Sequence, residues 1–89
     1  MALVMVKEGR GNIGAKMKLV VAREDDDIVL IQDGVYWMLE QIQGVTKGRV
    51  SVLKEDLIAR GYTEDATSLP IIDYGGLVEL IEKHERFIG

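Results

Sequence analysis

The sequence predicts a three-layer α/β/α fold on a mainly parallel sheet of about four strands, in one domain spanning residues 1–89. Three observations predict it. Continuous apolar, mostly β-branched runs recur at residues 2–6, 28–32, 50–53 and 69–72, and unbroken apolar character marks strands buried on both faces. Helical spacing fills the segments between them. Eighty-nine residues, 47% hydrophobic and 29% charged with one proline, match a single packed core.

After the first strand, Ile13, Met17, Val20 and Val21 recur at i, i+4, i+7 and i+8, which predicts their side of a helix as the inward face. After the second, Asp33 is placed to cap an α-helix with Val35, Met38, Leu39 and Ile42 inward and Gly44 as its stop. The third unit is short. Residues 55–60 make one or two turns, with acids at the start, Arg60 at the end and Gly61 beyond. Asp73 caps a last helix bearing Leu77, Leu80, Ile81 and His84 on one side, with Gly75 and Gly76 weakening its first turn. Strand and helix thus alternate four times, the pattern of right-handed parallel crossovers.

Composition excludes several chemistries. There is no cysteine, which removes a disulfide framework, a zinc–thiolate site, a thiol nucleophile and a persulfide carrier within this chain. One histidine leaves most metal and acid–base constellations short of parts. A net charge of −4 argues against direct binding to nucleic acid or to an anionic membrane. The apolar N-terminus is too short for a membrane span and lacks a basic leader, so a cytoplasmic location is expected.

Gly9, Gly11 and Gly14 spell G-x-G-x-x-G between a strand and a helix, with Asp33 near the offset of a ribose-binding acid. A loop that simply starts a helix explains the same residues, and the chain supplies half of a dinucleotide fold. Asp33, Asp56 and Asp73 fall at strand C-termini and could surround a Mg²⁺-phosphate group in a small enzyme or receiver-like sensor. Helix capping is the commoner use of such residues. His84 reads as a packed core or interface residue. In an α-helix Trp37 lies about 200° from Val35, on the outward side beside Tyr36. It either anchors a partner or folds over a neighbouring loop. Tyr36, Trp37, Tyr74 and His84 are therefore the candidate interface residues; none is assigned to catalysis, a metal or a cofactor.

The blocks L-x-Q-D-G-V (residues 30–35), E-D-L-x-A-R-G (55–61) and I-D-Y (72–74) resemble, in order and spacing, the DsrH/TusB family of sulfur-relay proteins within the DsrE-like group. The resemblance covers roughly residues 28–84 and implies a DsrE-like fold. It also implies a non-catalytic subunit working with TusC- and TusD-type, DsrE-like chains, one of which carries the persulfide used in 2-thiolation of the tRNA wobble uridine. Lacking cysteine, the chain resembles the TusB type, with scaffolding as its implied role. A homodimer is expected when it is isolated.

Overall fold

The computed structural model describes residues 1–89. Five strands form one wholly parallel sheet: β1 (Leu3–Val6), β2 (Asp27–Leu30), β3 (Arg49–Leu53), β4 (Ile71–Ile72) and β5 (Phe87–Ile88), in the order β4-β3-β2-β1-β5. Val4 pairs with Ile28 and Ile28 with Val50, so the apolar runs stand side by side. The fifth strand exceeds the four expected. It is two residues long and adds beside β1, where Leu3 pairs with Phe87 and Val4 with Ile88.

Moving from β1 through β2 and β3 to β4 steps always in one direction, so right-handed crossovers place their connections on one face of the sheet. Those connections are α1 (Ile13–Val21), 3₁₀ turns at Gln32–Leu39 and Ile42–Gly44, and α2 (Lys54–Ala59). The last crossover, α3 (Tyr74–Lys83), returns past the whole sheet to β5 and covers the opposite face. The first face holds fourteen buried side chains, including Val4, Ile28, Val52, Leu19, Trp37 and Leu57. The second holds Leu3, Val29 and Leu53, with Leu77 and Leu80 of α3 laid over them.

The Asp73 cap follows the sequence, but the expected Asp33 cap is not made: the turn at Gln32–Leu39 starts at Ile31 with no side-chain cap, and Asp33 lies inside its first turn and pairs with Arg60. Asn12 accepts from the Ala15 amide at 2.9 Å, starting α1, and Asp73 accepts from the Gly76 amide at 2.8 Å, starting α3. Gly61 ends α2 at φ +84°, the left-handed geometry that glycine adopts without steric cost.

Two expected faces are corrected. On α1 the buried residues are Ala15 and Leu19, while Ile13, Met17, Val20 and Val21 all point to solvent. Nearly the whole helix is apolar, and the small Ala15 allows its backbone to approach the sheet, so the shallower stripe wins the core. The second correction concerns residues 32–44, which form 3₁₀ turns in place of one α-helix. With about three residues per turn, Trp37 stacks above Gly34 and Met38 above Val35. Trp37 is therefore 3% exposed, not outward, and Leu39 is exposed, not inward.

Candidate functional site

Open parallel sheets bind ligands beyond the carboxyl ends of their strands. Here that edge is built by the segments after β1, β2, β3 and β4. Gly34 makes the closest approach, since a Cβ there would lie 1.8 Å from the Val6 carbonyl oxygen. The tight seat of Gly34 brings the Trp37 indole N–H to the Glu8 carbonyl at 3.1 Å. Gln32, the only non-glycine residue with positive φ (51°), donates its amide to Asp56 Oδ2 at 2.6 Å. A side chain from α2 thus holds a strained turn after β2.

Most of the remaining carboxylates of this edge have partners. Arg60 donates from both Nε and Nη2 to Asp33 Oδ1, at 3.1 and 3.0 Å. Glu55 Oε2 accepts from the Tyr74 amide at 3.4 Å, and Glu55 Oε1 is buried without a partner. Asp33, Asp56 and Asp73 therefore serve an ion pair, a turn and a helix cap in turn, and no three His, Cys, Asp or Glu side chains group as metal donors. The carboxylates that the sequence placed at one edge do not converge.

The G-x-G-x-x-G loop is likewise a helix start. Asn12 supplies the cap, and Gly9 and Gly11 have no positive φ and no crowding that would demand glycine. Asp33, its nominal ribose acid, belongs to Arg60.

A second polar centre lies at the amino ends of the strands. His84 Nε2 is 2.7 Å from Asp27 Oδ2, Arg49 Nε donates to Asp27 Oδ1 at 2.8 Å, and Lys83 Nζ reaches Oδ2 at 3.5 Å. Burial pushes the Asp27 carboxyl up, but the hydrogen bonds from His84 and Arg49 and the nearby cations outweigh it and hold the group below its usual range. His84 Nδ1 is buried with no partner. Beside it Asp26 accepts from the Arg23 and Ala2 amides, at 2.9 and 2.8 Å. The Arg23 bond is the main cause of its lowered pKa, against opposing burial. This cluster fastens the chain after α3 to the start of β2.

Of the four candidate interface residues, Tyr74 is exposed, Tyr36 is half-buried and edge-on to Tyr62 at 6.3 Å, and Trp37 and His84 are inside. Open apolar surface also lies on α1, at Ile13, Met17, Val20 and Val21. The i, i+4, i+7 spacing singled out those α1 residues, but the same signal fits an inward or an outward face.

This edge therefore offers shape, backbone groups and carboxylates that mostly serve structural partners, without a sulfur nucleophile. Comparison with known proteins gives it a lineage: residues 14–87 match the family of DsrH-like proteins. The chain belongs to the DsrH-like family. Over the full length of both chains it is 44% identical to protein Tm0979 of Thermotoga maritima, whose solution NMR structure it matches with a TM-score of 0.80. A second NMR structure of that protein, described as a candidate sulfur transferase, matches at 41% identity and a TM-score of 0.71, again over all of both chains. No protein of curated function matches the chain. The family places this DsrH-like chain in sulfur relay and confirms the α/β fold read from its sequence. No helix is long and apolar enough to cross a membrane.

Proposed function

We propose that this DsrH-like chain is a non-catalytic subunit of a cytoplasmic sulfur-relay complex. In this reading it holds a persulfide-carrying, DsrE-like partner of the TusC or TusD kind in the assembly that supplies sulfur for 2-thiolation of the tRNA wobble uridine. One observation carries the reading: a member of a sulfur-relay family that contains no cysteine. Sulfane sulfur moves by attack of a thiolate on sulfur and rests on the protein as a persulfide. A chain with no thiolate leaves both steps to a partner.

The engaged carboxylates support the same reading against the alternative of a small Mg²⁺-phosphate enzyme. Asp33, Asp56 and Asp73 each commit an oxygen to a different structural partner, and they do not group as metal donors.

The test is co-expression with the cysteine-bearing DsrE-like chains of the same cell, followed by native mass spectrometry and transfer of labelled sulfane sulfur. A stable complex is expected, with label on the partner's cysteine and none on this chain. Omitting this chain should slow onward transfer at least tenfold. Failure to form any complex, or sulfur transfer by the purified chain alone that one side-chain replacement abolishes, would overturn the proposal.

A further inference from the structure

The strand at the β1 edge of the sheet is covered unequally on its two faces. The crossover α3 leads to β5 along the face of Leu3 and Val29, so on the other face the paired residues Val4 and Ile88 have only the flank of α1 beside them. A groove results. It encloses about 380 Å³, floored by Val4, Ala22 and Ile88 and walled by Met17 and Val21 of α1. That volume lies within the roughly 300–1,000 Å³ of sites that take small molecules. Met17 and Val21, 53% and 63% exposed, are apolar walls that the fold itself leaves open to water.

The charged residues that line the groove divide into two groups. Lys18 reaches Glu8 at 3.8 Å, the Met1 ammonium reaches Asp25 at 3.3 Å and Asp26 at 3.8 Å, and Asp26 accepts from the Ala2 and Arg23 amides. These are already partnered. Arg23 and Arg86 also line the groove, yet neither forms an ion pair in a chain of net charge −4. Two free guanidinium groups beside an apolar floor call for an anion with an apolar body. The planar guanidinium fork matches a carboxylate, and the negative Asp26 close by disfavours a second charge on the ligand.

We infer that this groove binds a small monocarboxylate with an apolar tail, the tail on Val4 and Ile88 and the carboxylate held by Arg23 and Arg86. The site lies at the amino end of β1, away from the strand ends that carry Asp33 and Asp56. It does not depend on the sulfur-relay reading.

Backbone NMR titration of the purified chain with sodium hexanoate tests this, with 1-hexanol, hexylamine and acetate as comparisons. Hexanoate should move the amides of Val4, Val21 and Ile88 saturably at millimolar concentration. It should bind at least tenfold tighter than acetate, which lacks the tail, and at least tenfold tighter than hexylamine, whose charge is reversed. Arg23→Gln/Arg86→Gln should weaken hexanoate at least tenfold and leave 1-hexanol unchanged. Both side chains are exposed, and the backbone bonds at these residues remain, so the variant should fold with an unaltered circular dichroism spectrum.

Absence of saturable shifts, or shifts centred away from the groove, would overturn the inference. So would hexylamine or 1-hexanol binding as tightly as hexanoate, which would make the groove a merely greasy surface. A double arginine variant that folds and binds hexanoate as the wild type does would remove the guanidinium pair from the site and refute the carboxylate assignment.

Discussion

The two faces of the sheet are packed to very different depths. Beneath α1, the 3₁₀ turns and α2 lie fourteen buried side chains, whereas α3 alone covers three. The deep face is locked by close backbone approach and a buried indole. The thin face is held at its margin, where Asp27 ties His84, and with it the end of α3, to the first residue of β2. Stability is therefore concentrated on one side, and the segment that adds β5 depends on a polar clasp. Breaking each side in turn should show this division.

The largest effect is expected at Gly34. Any side chain there meets the Val6 carbonyl oxygen at 1.8 Å, and backbone cannot move aside as a flexible side chain can. Gly34→Ala should cost more than about 3 kcal/mol and leave little folded protein by circular dichroism. Trp37→Ala comes next, at about 3–5 kcal/mol in urea denaturation, because it removes a buried ring from the deep face and orphans the Glu8 carbonyl. If Trp37 instead mattered chiefly for association, unfolding midpoints would barely move.

On the thin face, Asp27→Asn should cost about 1–3 kcal/mol near neutral pH, since it weakens the bonds to His84 and Arg49 in a part-buried setting. Its pH dependence has a definite sign. The folded-state pKa of Asp27 is lowered, so its contribution is present above the unfolded value of about 3.9 and is lost as pH falls through the lower, folded value. Wild type and Asp27→Asn should therefore differ most near neutral pH and converge as pH falls below the lowered folded-state value. Amide exchange should show the loss first in β5 and the end of α3. A uniform loss across β1 to β3 would mean that the clasp supports the whole sheet.

How much of this was legible in the sequence varies by element. The four main strands are read from unbroken apolar runs, because burial on both faces leaves no room for polar alternation. β5 escapes such a reading. It is two residues among charges, held by the Leu3 amide on the Arg86 carbonyl at 3.0 Å and by pairing with β1, so its signal lies in the partner strand. The caps Asp73 and Gly61 were legible because their chemistry is local. The inward face of α1 was not, since a helix apolar on most sides offers two stripes and the sheet selects the one with Ala15. Trp37 turned inward because residues 32–39 adopt a period of three, which Gly34 permits by pressing against Val6. At the candidate site, residue types at the strand ends were predictable, but their pairings were not. Asp33 with Arg60, and Asp56 with the Gln32 amide, join residues more than twenty positions apart.

Those two pairings give the smallest expected effect and the finest contrast. Asp33 is 68% exposed at its side chain, so its ion pair with Arg60 is screened by water despite a 3.0 Å contact. Asp33→Ala should cost less than about 1 kcal/mol. Asp56 holds the amide of Gln32 at its positive φ, the turn that carries the chain from β2 into the seat of Gly34. Asp56→Ala should therefore cost about 1–2 kcal/mol, because it frees a strained turn as well as a charged hydrogen bond. Urea midpoints for both variants test the difference directly. If Asp33→Ala proved the costlier, the Arg60 bridge, not the Asp56 contact, would be what holds this edge against the deep face.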